Sequence, residues 1–254
     1  MLLAIDVGNT NTVLGLFHDN QLRCDWRVST TARWTSDELA ILLQALFEQG
    51  GQHLDEVGEV AISCVVPPIL PALENYCRAY LHLDPLIVGP GIKTGMPIRY
   101  DDPREVGADR IVDSVAAFTQ YGGPVIIVDF GTATTFDVVA RDGAYLGGAI
   151  APGIGIATEA LFQHAAKLPR VELTRPPHAV GTNTVHSIQS GIIFGFAAQA
   201  DGLITRIRHE LVTPAVTVAT GGLATLIAKE SEYIDHVDPL LTLKGLRLVY
   251  DRNR

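Results

Sequence analysis

The sequence predicts an α/β fold made of two similar lobes, each a mixed β-sheet flanked by helices. The first observation behind this prediction is an internal repeat at a constant offset of 123 residues. An aspartate, a glycine and a threonine recur in register, with Asp6 aligned to Asp129, Gly8 to Gly131, and Thr12 to Thr135. The second observation is the order of elements, strand–strand–strand–helix–strand–helix, which occurs twice and is typical of layered α/β packing.

The elements of the first half each have a local signal. The apolar run before Asp6 predicts a strand, a second strand follows the turn, and Asp19-Asn20 is a type I′ hairpin signal before a third strand. Thr35-Ser-Asp-Glu38 is a capping box that begins a helix, and Gly50-Gly51 ends it. The remaining elements of this half are a strand at 60–66, a helix at 69–81, a strand at 86–88 and a helix at 104–120.

The second half repeats this order after Gly122-Gly123, so the predicted lobes are residues 1–121 and 122–254. Asp142-Gly143 aligns with Asp19-Asn20 as a second hairpin turn of type I′. The other predicted features are a Gly-rich loop at 147–155, helices at 153–166 and 183–211, a Pro-rich excursion at 168–182, a strand at 216–219 and a helix up to residue 229. Two such lobes are expected to leave a ligand cleft between them.

The composition describes a globular chain and excludes several classes of partner. Of the 254 residues, 47% are hydrophobic and 19% are charged, which is enough apolar surface for a large core. The formal net charge is −9 and only four residues are lysines, so no surface for nucleic acid or an anionic membrane is expected. The three cysteines lack metal-binding spacing and the N-terminus lacks a signal peptide, so we expect a cytoplasmic protein.

The segment from Asp6 to Val13, with the sequence DVGNTNTV, is the first candidate site. A strand delivers the aspartate, and Gly8 permits a tight turn after it. The backbone N–H groups of such a turn can cradle phosphate, while the carboxylate can hold a hydrated Mg²⁺. The alternative is an ordinary β-hairpin with an incidental aspartate. The second Asp-x-Gly loop, at Asp129, favours the phosphate site, because two loops can clamp one phosphate chain.

Other nucleotide and hydrolase motifs are not present. No G-x-x-x-x-G-K-[ST] occurs, so the chain is not a Walker-A NTPase. The segment Gly153-Ile-Gly155-Ile-Ala-Thr158 lacks the third glycine of a dinucleotide fingerprint and follows a proline, which makes Rossmann-type binding unexpected. There is no nucleophile elbow for a Ser/His/Asp hydrolase.

The two Asp-x-Gly loops resemble the phosphate motifs of the acetate kinase/sugar kinase/Hsp70/actin superfamily. Within it, the chain resembles type III pantothenate kinases along nearly its whole length. The supporting segments, in family order, are residues 6–13 (DVGNTNTV), 103–111 (PREVGADRI), 129–136 (DFGTATTF), 147–153 (GGAIAPG) and 181–184 (GTNT). The resemblance implies duplicated ribonuclease H-like lobes of the actin-like ATPase type. It also implies ATP-dependent phosphorylation of pantothenate to 4′-phosphopantothenate, the first committed step of coenzyme A synthesis.

The resemblance implies that four consecutive residues bind pantothenate, namely Gly107, Ala108, Asp109 and Arg110. Asp109 is implied as the general base that removes the proton of the primary hydroxyl during its attack on the γ-phosphoryl group. Tyr100 and Thr184 are implied as further pantothenate contacts, with Thr184 near a homodimer interface. Judged by local chemistry alone, Asp109 is a charge favoured at a helix start, Tyr100 a loop aromatic on the core, and Thr184 part of an ordinary helix cap.

The resemblance also implies contacts to ATP in both halves, through Asp6, Val7, Gly8, Asn9, Thr10, Asn11, Thr12, Val13 and Thr132. Asp6 is implied to organise Mg²⁺ through water. Asp129 is implied to bind an activating monovalent cation, K⁺ or ammonium, because one carboxylate with carbonyls and hydroxyls suits a large, weakly charged ion. Gly221-Gly222 fits close packing against adenosine and fits a turn before a helix equally well.

Two other functions stay open at this point. One is a non-catalytic regulator with the same fold, and the other is a kinase for another small alcohol such as a sugar. The presence of both Asp6 and Asp109 argues against the regulator, because a retired site has no need of both. Asp113 and Ser114 are less typical of the family, but they belong to the helix beyond the reacting centre.

Overall fold

The computed structural model describes residues 1–254 and contains ten β-strands and seven α-helices. The strands are β1 Leu2–Val7, β2 Asn11–His18, β3 Gln21–Ser29, β4 Glu59–Cys64, β5 Leu86–Ile87, β6 Val125–Phe130, β7 Ala133–Val139, β8 Tyr145–Pro152, β9 Val216–Thr220 and β10 His236–Val237. The helices are α1 Ser36–Gln49, α2 Leu70–Tyr76, α3 Ala108–Tyr121, α4 Ile154–His164, α5 Thr184–Leu211, α6 Ala224–Ala228 and α7 Leu241–Asp251. No helix combines the length and the hydrophobicity that crossing a bilayer requires.

The two five-stranded sheets share one strand order. The first runs β3-β2-β1-β4-β5, and the second, counted from the matching edge, runs β8-β7-β6-β9-β10. In each sheet the first strand of the half is antiparallel to the second strand and parallel to the fourth. The repeated order confirms the predicted duplication, and the sheets are mixed and flanked by helices as predicted.

The first sheet buries one face against α1 and α2. Leu3, Ile5 and Val7 of β1 lie in this core, and because side chains alternate along a strand, Asp6 lies on the opposite face. Helix α1 begins at the predicted capping box, where the Thr35 side chain accepts a hydrogen bond from the backbone of the third helical residue. The alternation along β1 therefore determines which face carries the candidate carboxylate.

The second sheet repeats this arrangement with different helices. Ile126, Val128 and Phe130 of β6 pack into a core with residues of α5, and Asp129 lies on the opposite face. Helix α5 begins where the Asn183 side chain accepts a hydrogen bond from the N–H of His186. The cap is therefore Asn183, and Thr184, the first residue of the helix, does not make it.

The chain forms two compact units. The first comprises Met1–Met96, Asp102–Ala116 and Thr242–Arg254, and the second comprises Pro97–Asp101 and Ala117–Leu241. Residues 242–254, including most of α7, thus belong to the first unit although they follow the second unit in sequence. The expected lobes 1–121 and 122–254 stay a prediction.

The two Asp-x-Gly turns differ in length by one residue. Val7 pairs with Thr12 across β1 and β2, while Phe130 pairs with Thr134 across β6 and β7. The structural counterpart of Thr12 is therefore Thr134, and both side chains are buried. The alignment of Thr12 with Thr135 at the constant offset was wrong, because the second turn closes with one residue fewer.

Other local predictions also need correction. A type I′ turn requires positive φ at both central residues, but in the two-residue turn Asp19-Asn20 only Asp19 has it, with φ 52°. The second hairpin is a longer loop in which Gly143 has φ 83°. Residues 145–152 form β8 rather than a Gly-rich loop. A side chain at Gly148 would lie 1.6 Å from the carbonyl oxygen of Phe136, so glycine is needed for the close approach of β7 and β8.

Candidate active site

Asp6 occupies the end of β1, on the face of the first sheet that does not pack on α1 and α2. It pairs with Val13 of β2 on one side and Ser63 of β4 on the other. Burial, and secondarily the charge of Asp109, raise the pKa of Asp6 to about 7, while the positive charge of Arg27 opposes the rise. The carboxyl of Asp6 is therefore costly to ionise until a cation neutralises it.

The turn that follows Asp6 is held by Thr30, the residue directly after β3. The Gly8 N–H donates to the Asn11 carbonyl at 3.0 Å, and the Thr30 hydroxyl donates to the Gly8 carbonyl at 2.7 Å. The Thr30 hydroxyl also lies 2.9 Å from that of Thr12, and the Thr30 N–H donates to the Thr10 carbonyl at 2.9 Å. These bonds fix a turn whose outermost side chains, at 9 and 10, are exposed. Val7 and Thr12, both predicted to contact ATP, have buried side chains, which leaves their backbone for that contact.

Asp109 lies in the first turn of α3, two residues after Gly107. A side chain at Gly107 would lie 2.5 Å from Oδ1 of Asp109, so the carboxylate folds back over the space that glycine leaves. The Arg110 N–H donates to the same oxygen at 2.8 Å. Burial raises the pKa of the Asp109 carboxyl, and the hydrogen bond and charge of Arg110 only partly offset this.

Asp6 and Asp109 are brought together in the first unit, since the charge of one raises the pKa of the other. No group of three or more His, Cys, Asp or Glu side chains is arranged to hold a metal ion. The two carboxyls of Asp6 and Asp109 fit Mg²⁺, which proteins commonly hold through one or two carboxylates, with waters and substrate phosphates completing the shell. Asp6 is the residue that would hold it.

Asp129 occupies the matching place at the end of β6 in the second unit. Side chains at two glycines would crowd its carboxylate: one at Gly131 would lie 3.1 Å from Oδ2, and one at Gly221 would lie 2.3 Å from Oδ1. Gly221 has φ 92°, a conformation that favours glycine. The turn after β9 therefore passes directly against the Asp129 carboxylate, which gives Gly221 a role within the second unit.

Thr132 lies in the short turn after Asp129, where the N-terminus of α4 approaches it. A side chain at Gly153, the N-cap of α4, would lie 2.1 Å from the carbonyl oxygen of Thr132. Gly153, the last glycine of the GGAIAPG segment, thus permits α4 to begin against the second Asp-x-Gly turn. The carbonyl oxygens of Gly131 and Thr132 therefore both lie beside the start of α4.

Tyr100 is carried by residues 97–101, which pair with the start of β8. The Arg99 N–H donates to the Tyr145 carbonyl at 2.8 Å, and the Tyr145 N–H donates to the Pro97 carbonyl at 2.8 Å. The Tyr100 ring lies over Gly147, where an added side chain would come within 3.1 Å of it. The Tyr145 hydroxyl donates to the buried carboxylate of Asp137 at 2.7 Å, which fixes the strand to which Tyr100 is attached.

Thr184 lies on the rim of a groove of about 840 Å³ in the second unit, between α4 and α5. Its lining includes Gly181, Asn183, Ser187, Ile188 and Phe196. The side chain of Thr184 is exposed, because Asn183 makes the helix cap. The helix cap predicted at 182–184 is confirmed, and Asn183 is the residue whose side chain makes it.

The structure brings the predicted residues into two groups. Residues 6–13 and 107–110 belong to the first unit, and Tyr100, Asp129, Thr132 and Thr184 belong to the second. Sequence reasoning missed Arg27, whose charge acts on Asp6, because its position depends on strand register. It also missed Asp137, although an acidic residue inside an otherwise uncharged strand was a signal that could have found it.

Solved structures with the same fold identify the class. A ROK hexokinase from Thermus thermophilus aligns with a TM-score of 0.51 at 13% identity, over 98% of this chain and 97% of that chain. An activator of 2-hydroxyisocaproyl-CoA dehydratase from Clostridium difficile, with bound ADPNP, aligns with a TM-score of 0.55 at 11% identity, over 98% and 94%. The chain has the fold of actin-like ATPases and sugar kinases.

Sequence comparison then identifies the family. The family model described as type III pantothenate kinase matches residues 2–206. Two relatives named type III pantothenate kinase, from Moorella thermoacetica and Syntrophobacter fumaroxidans, are 57% identical over 253 residues and 55% identical over 255 residues. They cover 100% of this chain and 100% and 99% of their own lengths, respectively. The chain belongs to the type III pantothenate kinase family.

Proposed function

We propose that this chain transfers the γ-phosphoryl group of ATP to the primary hydroxyl of pantothenate, with Asp109 as the base and Asp6 as the organiser of the phosphates. Membership of the family supports the reaction, whose product is 4′-phosphopantothenate. The observation that carries the residue roles is the pair of carboxyls in the first unit. They are close enough for the charge of Asp109 to raise the pKa of Asp6.

Asp109 accepts the proton that the alcohol loses as its oxygen bonds to phosphorus, and ADP leaves with the electrons of the broken bond. Burial raises the pKa of this carboxyl, which brings the base closer to the working pH and makes proton acceptance more favourable. The Arg110 N–H orients the carboxylate through its 2.8 Å hydrogen bond. Gly107, Ala108 and the Arg110 guanidinium bind pantothenate around this base.

The turn after Asp6 binds the phosphates of ATP through its backbone and through the exposed side chains of Asn9 and Thr10. Its four hydrogen-bonded contacts, three of them from Thr30, hold the donors in place before ATP arrives. Asp6 would hold Mg²⁺ through water, and the bound ion would supply positive charge beside the phosphates. Positioning of this kind supplies most of the rate in phosphoryl transfer, since the transition state is loosely bonded.

The second unit contributes the remaining proposed contacts. Asp129 holds K⁺ or ammonium in this proposal. The position of its carboxylate, against the turns at Gly131 and Gly221, supports this role. Thr132, in the adjacent turn, contacts ATP. Tyr100 and Thr184 contact pantothenate, and both have exposed side chains.

The chain acts as a homodimer in this proposal. Large apolar side chains are exposed next to the groove beside Thr184, namely Ile156, Val180 and Val185. Each of the three is next in sequence to a residue that lines the groove, and exposed apolar side chains grouped in one region are typical of protein interaction sites. We expect the enzyme to work in the cytoplasm, on ATP and pantothenate.

The test is the Asp109→Asn variant in a coupled assay of ADP release with ATP, Mg²⁺, pantothenate and K⁺. Loss of a general base lowers kcat by about 10²–10⁴-fold. Glu105→Gln is the matched control, because it removes one exposed negative charge four residues earlier and is expected to keep activity within about twofold. Circular dichroism and thermal melting check that both variants fold.

A wild-type protein without pantothenate-dependent ADP release in K⁺ would contradict the proposed reaction. An active Asp109→Asn variant would contradict the base but leave the reaction. Replacement of K⁺ by Na⁺ tests the monovalent cation separately. Competition between pantothenate and a panel of sugars tests the acceptor.

A further inference from the structure

Arg27 of β3 lies in line with Asp6 across three strands of the first sheet. Asp6 pairs with Val13 of β2, and Val13 pairs with Arg27 of β3. Directly opposed residues share one face of a sheet, so Arg27 and Asp6 are on the same face, two strand spacings or about 10 Å apart. Arg27 is exposed and makes no ion pair or side-chain hydrogen bond.

The negative charge around Asp6 exceeds the positive charge of the residues assigned to this site. The first unit presents Asp6 and Asp109 together, and the polyphosphate of ATP adds further negative charge. None of the four lysines lies in residues 6–13 or 107–110. Arg27 is a positive group in the same cross-strand row as Asp6, on the same face of the sheet.

Strand β3 also holds the phosphate-binding turn. Thr30, just after this strand, makes the hydrogen bonds that fix Gly8, Thr10 and Thr12. Any group projecting from β3 is therefore held in a fixed relation to that turn, as sites built on rigid elements require. A guanidinium is suited to phosphoryl oxygens, because its planar fork can donate two parallel hydrogen bonds.

We propose that Arg27 binds the terminal phosphoryl oxygens of the nucleotide held by the turn after Asp6. The inference rests on the proposed function for that turn and adds a nucleotide contact from β3, outside the five short segments that carry the family resemblance. In this role Arg27 supplies the side-chain cation that the acidic, lysine-poor chain otherwise lacks at the turn. It acts on ATP and not on pantothenate, which makes the two substrates separable in kinetics.

The experiment compares Arg27→Ala and Arg27→Lys with wild-type protein, using the full chain. Arg23→Ala is the matched control, because Arg23 is an exposed arginine on the same strand, four residues farther from the row with Asp6. KM is measured separately for ATP and pantothenate, and binding of a non-hydrolysable ATP analogue is measured by calorimetry.

For Arg27→Ala we expect KM for ATP and the dissociation constant of the analogue to rise about tenfold or more, as expected for loss of a charged hydrogen bond. In Arg27→Ala, KM for pantothenate and the melting temperature stay near the wild-type values. For ATP binding we expect Arg27→Lys to lie between wild type and Arg27→Ala, and Arg23→Ala to match wild type. Unchanged analogue binding in Arg27→Ala would overturn the inference, and so would equal effects on both substrates with a lowered melting temperature.

The same data separate this inference from the proposed function. If wild-type protein binds the analogue but does not phosphorylate pantothenate, the proposed reaction fails while the Arg27 comparison by calorimetry still stands. If wild-type protein phosphorylates pantothenate and Arg27→Ala binds the analogue equally well, only the Arg27 inference fails.

Discussion

Replacing Asp6 by asparagine is expected to make the protein inactive and, at alkaline pH, more stable. The folded protein raises the pKa of this carboxyl from 3.8 to about 7, mainly through burial. Between these values the folded state holds a proton that the unfolded state has released, so stability falls as the pH rises from about 4 towards 7. Each pH unit is worth about 1.4 kcal/mol, which gives a full penalty of about 4 kcal/mol at alkaline pH.

The clearest measurement is the difference between two pH values, because the pH-independent cost of burying an amide cancels. The penalty on the ionised carboxyl is about 2 kcal/mol at pH 5 and about 4 kcal/mol at pH 8. Urea unfolding should therefore show the advantage of Asp6→Asn over wild type growing by about 2–3 kcal/mol from pH 5 to pH 8. Asp25→Asn, at an exposed position on β3, is the control and should show no such growth. An Asp6→Asn advantage that is the same at both pH values would refute the reasoning.

Two further predictions concern the second unit. Gly221→Ala should lower the free energy of unfolding by about 1–3 kcal/mol, since it puts a side chain at φ 92° and 2.3 Å from the Asp129 carboxylate. Gly155→Ala is its control, because nothing lies within 4 Å of that position in α4, and a destabilised control would argue against a local cause. Tyr145→Phe should cost about 1–3 kcal/mol in urea unfolding by removing a hydrogen bond to buried Asp137, and an unchanged midpoint would contradict that role.

The sequence could predict that one sheet is repeated, but it could not predict the exact strand registers. The offset that aligns Asp6 with Asp129 predicts two copies of one sheet, because the same pattern of apolar strand and Gly turn is expected to fold in the same way in both halves. The offset could not show that the second turn is one residue shorter, since a turn's length depends on the pairing it closes. The constant offset therefore matched Thr135 to Thr12, whereas Thr134 occupies the structurally equivalent position.

The position of Arg27 depends on a β-bulge. Near the hairpin turn Phe17 pairs with Leu22, but the next pair is Leu16 with Cys24, so Arg23 is left over. Without this extra residue Val13 would face Trp26, and Arg27 would lie on the other face of the sheet. A shift of one residue reverses the face of every side chain beyond it. The hairpin signal in the sequence did not include this bulge.

The candidate residues of the motifs were easier to predict than their surroundings. Asp6, Gly107 and Asp109 stand in contiguous segments, so the resemblance could name them. The crowding of Asp129 by Gly221 joins positions far apart in sequence, and only the fold brings them together. The helix α7 and the short strand β10 had no clear local signal and were not predicted.

The membership of residues 242–254 in the first unit affects how the chain is made. Leu243 of α7 packs against Gly15 of β2, and Gly245 packs against the backbone of Val112 in α3. During synthesis the first sheet leaves the ribosome long before the helix that covers this part of its surface. The nascent amino-terminal half must therefore wait, with an apolar face open to water, until the whole second unit and α7 have been made. Deletion of α7 should leave that half permanently in the aggregation-prone form of a translation intermediate.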